Sequence, residues 1–414
     1  MVKKDVFRDN NISELNDLSA HVNSKYFVNR NFSIYVHIPF CKYRCGYCDF
    51  NTYTNTNFGV GASLDDYVQS LCLEYDLSLD IFEKENFDLP DVSTVFFGGG
   101  TPTFLRSDNL ALAVEQLRKR FVFKDVEITT EANPETVDEN YLRDLASAGF
   151  TRVSFGAQSG VKSVLNILDR KHDPEKLAQL VDCAKGLGMQ TSVDLIYATP
   201  GESVDDWIAS LEYAVGLKSD HISAYALMIH DGTKMGQDLK HGKIKPVNND
   251  DEAVKYKIAD EFLYNCGFRW YEISNWAKNG KVCKHNIAYW KSDNWWGYGA
   301  GAHSYVNATR WANTKHPRNY AMYLREGVLP VCMKDILDSQ TICQEKIMLE
   351  LRLREGIALD NSYFYFTDEK LDILRENGYL LEREFNCGRL VLSLRGRLMA
   401  DYITQILWDG FRVI

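Results

Sequence analysis

The stretch Cys41-Lys-Tyr-Arg-Cys45-Gly-Tyr-Cys48 places three cysteines within eight residues, in the spacing C-x3-C-x2-C. It directly follows a run typical of a β-strand, Ser33-Ile-Tyr-Val-His-Ile-Pro-Phe40. Cysteine thiolates on one short, tightly turned loop can hold an iron–sulfur cluster. Because a 4Fe–4S cluster has four irons, three cysteines leave one iron without a protein ligand. The stretch therefore predicts a 4Fe–4S cluster on Cys41, Cys45 and Cys48 whose fourth iron binds a small molecule.

Two other interpretations of these cysteines are a zinc knuckle without its fourth ligand and three core cysteines on a turn. A zinc site would need a nearby Cys or His pair with its own spacing, and none follows the loop. The other seven cysteines are scattered along the chain and are typical of buried small apolar residues in a reducing compartment. The clustered spacing favours the iron–sulfur interpretation.

The flanking motifs carry a family resemblance. The cysteine spacing after a first strand, with Tyr47 before the third cysteine, resembles the radical S-adenosylmethionine superfamily. Within it the chain resembles the HemW heme chaperones, which are relatives of the oxygen-independent coproporphyrinogen III dehydrogenases. The resemblance runs from about residue 33 to the C-terminus and rests on these motifs: Tyr35-Val-His-Ile-Pro-Phe-Cys41, Gly98-Gly-Gly-Thr-Pro-Thr103 and His285-Asn-Ile-Ala-Tyr-Trp290.

This resemblance implies cofactors and partners. The unique iron of the cluster would bind the amino and carboxylate groups of S-adenosylmethionine, and an electron donor would reduce the cluster. The chain would bind heme and deliver it to heme-accepting proteins, membrane-associated respiratory ones among them. Whether the chain is also an enzyme stays open, and the alternative is a radical enzyme acting on a porphyrin, as the dehydrogenase relatives do.

Composition excludes several other classes. The formal net charge of −10 argues against broad nucleic-acid binding, which needs a basic face. No apolar run approaches the length of a membrane span, and residues 1–30 lack the apolar core of a signal peptide. We therefore expect a cytoplasmic protein.

Short β-rich runs alternate with helical patterns from residue 33 to about 230. Such alternation predicts an α/β fold with parallel strands and right-handed crossovers. Six units predict a partial (β/α)6 barrel with its site at the carboxyl ends of the strands. The helix near 137 is expected to begin with a capping box at Thr136-Val-Asp-Glu139. Strands are predicted at 33–38, 93–97, 126–131, 152–156, 191–196 and 221–226, and helices at 64–84, 107–120, 137–148, 174–187 and 203–216.

The chain divides into four predicted regions. Residues 1–30 are an N-terminal extension, 31–235 the barrel, 236–330 a linking region with the motif at 285–290, and 331–414 a small cap. In the cap we expect helices at 344–354, 367–377 and 396–406 and a hairpin at 383–393, which resembles a winged helix. A DNA-reading role is disfavoured because this cap holds 11 Lys and Arg against 14 Asp and Glu.

The predicted strand ends carry the candidate residues for S-adenosylmethionine. Gly99 and Gly100 remove side chains where the backbone must come close to a ligand, although a tight turn would explain them too. By resemblance these glycines and Thr101 meet the methionine part of the cofactor. Glu131 can hold a ribose or ammonium group or merely cap a helix. The remaining residues are assigned by resemblance and could otherwise be surface or strand positions: Tyr35, Gln158, Arg170, Asp194 and Ala226.

Two features bear on the heme chaperone interpretation. Phe50 stands where the dehydrogenase relatives have a further cysteine, and this is the pattern of the HemW branch. His285 is the candidate heme ligand, because neutral imidazole is a good axial ligand and aromatic neighbours suit a flat macrocycle. The alternative is a histidine hydrogen-bonded within the core, and Cys283 and His303 are further candidates.

Overall fold

The centre of the fold is a set of six parallel strands that neighbour one another in chain order. The computed structural model describes residues 31–84, 89–170 and 174–414, so the predicted extension at 1–30 lies outside the described residues. The strands confirm the six predicted ones, and several are longer than predicted. They are β1 (Phe32–Ile38), β2 (Asp91–Gly99), β3 (Val122–Ala132), β4 (Arg152–Gln158), β5 (Gln190–Tyr197) and β6 (His221–Ala226).

Helices connect these strands and cover one face of the sheet. Ser203 begins α6 with a capping box in which its side chain and that of Asp206 each bond the other's backbone N–H. The predicted capping box at Thr136 is wrong: Asp138 caps α3 and accepts from the Tyr141 N–H. These helices are α1 (Tyr67–Lys84), α2 (Ser107–Arg118), α3 (Glu139–Ala148), α4 (Lys162–Ile167), α5 (Pro174–Gly186) and α6 (Val204–Gly216).

The predicted linking region extends the sheet at both edges, and the sheet continues into the first residues of the predicted cap at Val331–Ile336. On one side β9 pairs in parallel with β1, and β10 to β12 continue antiparallel; on the other a hairpin of β7 and β8 pairs with β6. The sheet has twelve strands among the described residues, and β1 and β6 do not pair with each other, so the barrel is open. These elements are α7 (Lys234–Lys240), α8 (Asn249–Asn265), β7 (Arg269–Glu272), β8 (Asn275–Ala277), α9 (Lys284–Trp290), β9 (Asn294–Tyr298), β10 (His303–Val306), β11 (Thr309–Asn313), α10 (Pro317–Arg325) and β12 (Val331–Ile336).

The two faces of the parallel strands differ in polarity, because side chains alternate along a strand. Ile34, Val95 and Ile128 lie on the outer face in the main hydrophobic core. The inner face carries Phe96 and a series of polar groups, and α9 packs against it with the His285 ring stacked on Phe96 at 5.1 Å. The inner face is therefore the surface on which polar side chains can meet.

The C-terminal unit has its own hydrophobic core, which includes Ile347, Phe364 and Leu407. The hairpin predicted at 383–393 is wrong, because Glu382–Asn386 is helical and the short strands pair with more distant partners. The likeness to a winged helix stays a prediction. Nowhere in 31–84, 89–170 or 174–414 is a helix long and apolar enough to cross a membrane. The elements are α11 (Ser339–Glu350), β13 (Ile357–Ala358), β14 (Phe364–Phe366), α12 (Asp368–Glu376), α13 (Glu382–Asn386), β15 (Arg389–Leu390), α14 (Leu394–Arg397), α15 (Ala400–Gly410) and β16 (Phe411–Val413).

Candidate cofactor site

The cysteine loop begins where β1 ends and folds back on itself. The Cys41 N–H donates to the Tyr53 carbonyl at 3.0 Å, and the Tyr53 N–H donates to the Pro39 carbonyl at 2.7 Å. Within the loop the Cys48 N–H donates to the Cys45 carbonyl at 3.2 Å. These bonds fix both ends of the loop against β1, so all three cysteines face one region of the barrel mouth, where they line a common pocket.

Each cysteine sulfur lies near a polar side chain. The Thr101 hydroxyl donates to Cys41 Sγ at 3.5 Å, and an Arg170 nitrogen donates to Cys45 Sγ at 3.6 Å. Hydrogen bonds of this kind stabilise thiolates and tune the potential of a cluster. Burial raises the pKa of the Cys41 thiol to about 11. A free thiol there would stay protonated at neutral pH, and metal binding would have to displace its proton.

The arrangement of the cysteines bears on which metal group fits. Throughout the described ranges, no group of three Cys, His, Asp or Glu side chains is arranged to hold a single metal ion. In a cubane each cysteine binds a different iron, so three sulfurs that line one pocket from separate positions fit a cluster better than a zinc ion.

The same pocket contains most of the predicted strand-end residues. Gly99 and Gly100 are required there by space: a Cβ on Gly100 would lie 2.7 Å from the Ile38 and Phe40 carbonyl oxygens. Gly99 has φ +104°, and a Cβ on it would lie 2.4 Å from the His37 ring. The residues that the pocket brings together with the three cysteines are Gly99, Gly100, Thr101, Glu131, Gln158, Arg170 and Asp194.

Two carboxyl groups lie on the inner face within this pocket. Glu131 Oε2 accepts from the Gly99 N–H at 3.2 Å, and desolvation together with the charge of Asp194 raises the Glu131 pKa to about 8. Desolvation also raises the pKa of Asp194, although hydrogen bonds from Ser223 and Ser154 oppose that rise. Without a ligand, Glu131 therefore holds a proton at neutral pH. A cationic ligand group would favour its ionised form.

Ser154 and Ser223 were missed by the sequence analysis. The Ser154 hydroxyl lies 2.9 and 3.1 Å from the two oxygens of Asp194, and the Ser223 hydroxyl donates to Oδ1 at 2.7 Å. Together they hold the Asp194 carboxylate in one orientation. The alternation of β4 and β6 could have indicated them, since both serines fall on the inner face of a strand next to β5.

Gln158 and Arg170 both lie beside Gly156, near the end of β4. Gln158 has φ +65° and follows a register shift between β4 and β5, after which it pairs with Leu195. An Arg170 nitrogen donates to the Gly156 carbonyl at 2.7 Å while another reaches Cys45 Sγ. Arg170 thereby connects the end of β4 to the cysteine loop.

Tyr35 and Ala226 do not line the pocket, although both were predicted to bind the cofactor. The Tyr35 hydroxyl lies 3.0 Å from His37 Nδ1, and His37 Nε2 lies 2.9 Å from the Asn51 carbonyl. A carbonyl only accepts, so Nε2 carries the proton and Nδ1 accepts from the Tyr35 hydroxyl. His37, which the sequence analysis did not single out, thus orients Tyr35. Ala226 ends β6 opposite Tyr197.

His285 lies inside the barrel, apart from the pocket. Its ring is 1% exposed, with Nδ1 2.7 Å from the Thr94 hydroxyl and Nε2 2.9 Å from the Tyr289 hydroxyl. Burial lowers the His285 pKa to about 3, so the imidazole is neutral. This arrangement matches the alternative of a histidine hydrogen-bonded within the core, and ligation of heme would require one of these bonds to open. Of the other candidates, Cys283 is also buried and His303 is exposed.

The chain is similar to known proteins over most of its length. The sequence model of the Radical SAM superfamily matches residues 35–214, which include the cysteine loop and most of β1 to α6. The heme chaperone HemW of Mycobacterium tuberculosis (strain ATCC 25618 / H37Rv) is 40% identical over 378 residues, covering 91% of this chain and 94% of its own length. HemW of Bacillus subtilis (strain 168) is 31% identical and covers 79% and 84%.

A solved structure with the same fold is coproporphyrinogen III oxidase (HemN) from Escherichia coli, described as a radical SAM enzyme. The two structures superpose with a TM-score of 0.76, covering 92% of this chain and 91% of that chain. Their sequences are 22% identical, so this likeness shows the fold alone.

Proposed function

Because the chain belongs to the HemW family within the Radical SAM superfamily, we propose that it is a heme chaperone that carries a 4Fe–4S cluster and S-adenosylmethionine. The observation that carries this proposal is the 40% identity to a heme chaperone HemW across 91% of the chain. That alignment extends well beyond the barrel, so it includes most of the linking region and the C-terminal unit.

The pocket supports the cofactor part of the proposal. Cys41, Cys45 and Cys48 would hold the cluster, and the backbone at Gly99 and Gly100 leaves room for a ligand beside it. When bound, the reduced cluster can pass an electron to S-adenosylmethionine, while the protein orients both and excludes water. The remaining proposed contacts are Thr101, Glu131, Gln158, Arg170 and Asp194 around the pocket, with Tyr35 and Ala226 further from it.

Glu131 would act as the counter-ion of the cofactor's ammonium group. Its Oε2 already accepts from the Gly99 N–H, so a second donor on the ligand would complete its coordination. Asp194, oriented by Ser154 and Ser223, would accept from a hydroxyl group of the ligand. These two roles differ because Glu131 would release a proton when a cation binds, whereas hydrogen bonds from two serines already oppose the rise in the Asp194 pKa.

The competing function is a radical enzyme that decarboxylates coproporphyrinogen. Phe50 argues against it, because the dehydrogenase relatives have a cysteine at this position. The Phe50 ring is 59% exposed and lines the same pocket as the cluster cysteines. An apolar aromatic surface at the pocket entrance suits a flat macrocycle better than it suits thiol chemistry.

We propose that heme-accepting proteins, including membrane-associated respiratory ones, take the heme, and that a separate donor reduces the cluster. A protein that keeps its cysteines as cluster ligands suits a reducing compartment, and we propose the cytoplasm.

The deciding experiment uses the anaerobically reconstituted protein. We expect one heme per chain to bind in a titration followed by Soret absorbance, with and without S-adenosylmethionine. In parallel, incubation with reductant, S-adenosylmethionine and coproporphyrinogen III should yield no protoporphyrinogen IX. If coproporphyrinogen is converted and the Soret absorbance does not change, the chain is a coproporphyrinogen-decarboxylating enzyme and the chaperone proposal fails.

A further inference from the structure

His230 is an accessible imidazole beside the cofactor pocket, in contrast to the buried His285. It follows β6 in the segment that leads to α7, and 48% of its side chain is exposed. Its Nε2 lies 3.3 Å from Asp49 Oδ2, and Asp49 directly follows the cluster cysteine Cys48. The ring therefore lies next to the cysteine loop, whose residues line the pocket.

The segment that carries His230 is held in place. The His230 carbonyl accepts from the Thr233 N–H at 3.0 Å and from the Thr233 hydroxyl at 2.7 Å, which closes a tight turn. Two residues later the Met235 N–H donates to the Gly46 carbonyl of the cysteine loop at 2.8 Å. A Cβ on Gly236 would lie 2.1 Å from the His230 carbonyl oxygen, so the first turn of α7 packs closely on this segment.

The pairing with Asp49 prepares the imidazole to bind a metal. Histidines that ligate metals usually donate one ring N–H to a carboxylate, which fixes the tautomer and raises the basicity of the other nitrogen. Here Asp49 Oδ2 lies 3.3 Å from Nε2, so a small rotation of either exposed side chain would complete such a hydrogen bond. Across the part of the chain that the structure describes, no hydrogen bond involves His230 Nδ1, so its lone pair is available.

The surroundings match the rest of a heme molecule. Phe50, adjacent to Asp49, is 59% exposed, and Met228, two residues before His230, is 71% exposed. Phe50 lines the pocket, and exposed apolar side chains of this kind are suited to cover a porphyrin face. Lys42 and Arg44 line the same pocket and can pair with the two propionates of heme.

We propose that heme binds on the surface beside the cysteine loop, with His230 as an axial ligand of the iron, Asp49 as its hydrogen-bond partner in the complex, and Phe50 and Met228 against the macrocycle. The proposal rests on the heme-binding function proposed above and gives it a location next to the cluster.

The test is a hemin titration of full-length, cluster-reconstituted protein, with iron content measured for every variant. His230→Gln should remove the Soret shift of bound heme, and Asp49→Asn should weaken heme affinity roughly tenfold while keeping the shift. The matched control is His241→Gln, another exposed histidine of the same region, which should bind heme as the parent does. Phe50→Ala should lower affinity without changing the ligand signature.

An unchanged Soret spectrum in His230→Gln would overturn the proposal, and so would loss of the shift in His285→Gln alone. Either result would leave the heme chaperone function intact. If the parent protein binds no heme, the function itself fails. Because His230 is exposed, its substitution leaves the core unchanged, and cluster iron content reports any indirect damage to the loop.

Discussion

The Nδ1 atom of His285 lies 2.7 Å from the hydroxyl oxygen of Thr94, a residue 191 positions earlier in the chain. Thr94 donates its own hydroxyl proton to Ser33 at 2.8 Å, so toward His285 it accepts, and Nδ1 carries the imidazole proton. Nε2 is then the acceptor, and the Tyr289 hydroxyl occupies it. The lone pair that an iron would need is therefore already used inside the fold.

The first prediction follows from this bond. His285→Gln should lower the free energy of unfolding by about 1–3 kcal/mol, because it leaves Thr94 and Tyr289 with altered partners in a buried site. Urea unfolding of parent and variant measures the difference. Tyr289→Phe is a second variant that frees Nε2 without removing the imidazole. If the heme spectrum changes in this variant alone, His285 can become a heme ligand once the Tyr289 hydroxyl is removed.

The second prediction concerns the cluster ligands. Replacing Cys41, Cys45 or Cys48 by Ala should abolish the 4Fe–4S absorbance and EPR signal after anaerobic reconstitution, because each sulfur holds its own iron. Cys387→Ala, at an exposed position of the C-terminal unit, should reconstitute like the parent. An intact cluster in Cys45→Ala would show that another residue supplies the ligand.

The third prediction concerns S-adenosylmethionine. Its addition should change the EPR spectrum of the reduced cluster in the parent, and Glu131→Gln or Asp194→Asn should weaken cofactor affinity roughly tenfold or more with unchanged iron content. Ser154→Ala should have a smaller effect, because Ser223 still holds Asp194. Parent-like affinity in both carboxyl variants would remove these residues from the proposed site.

The fourth prediction is a pH dependence of stability at Glu74. This buried α1 side chain accepts from the Gly299 N–H at 2.8 Å, the Asn313 amide at 2.6 Å and the Tyr320 hydroxyl at 2.6 Å. Burial raises its pKa from 4.5 to about 7. Between these values the folded state binds more protons than the unfolded state, so the contribution of Glu74 to the free energy of unfolding falls as pH rises and is flat above about pH 7.

Glu74→Gln cannot titrate and removes this contribution. The unfolding free energy of the parent minus that of the variant should therefore fall as pH rises from about 5 to about 7. Urea titrations at each pH measure this difference. Glu83→Gln, an exposed acid on the same helix, is the control and should follow the parent. A difference that grows with pH would contradict the assignment.

The barrel was predictable because its signals are local. β1 to β6 are contiguous β-rich runs separated by helical patterns, and strands joined by such crossovers pair with their neighbours. The carboxyl ends of neighbouring strands meet at one edge, which is why Glu131 and Asp194 could be expected near the cysteines. The order of elements along the chain supplied the common edge, whereas the choice of Asp194 came from the family resemblance.

What was missed depends on contacts between distant residues. Ser154 and Ser223 matter through Asp194, on the strand that lies between theirs. A buried, hydrogen-bonded His285 was foreseen only as the alternative to a heme ligand, because its burial depends on α9 entering the barrel against Thr94. The wrong hairpin at 383–393 arose from a turn-like Asn-Cys-Gly sequence that instead ends the short helix α13.

The pairing of β1 with β9 has a consequence for biosynthesis. β1 carries the cysteine loop, and one of its two edges pairs with Asn294–Tyr298, more than 250 residues later. Most of the chain must therefore leave the ribosome before the second edge of β1 can pair with its partner strand. Long-range pairing of this kind folds slowly and exposes nascent chains to aggregation. If the iron–sulfur cluster were inserted before translation ends, the strand that precedes the cysteine loop would be paired on one edge only. Insertion of the cluster after translation avoids this incompletely paired state.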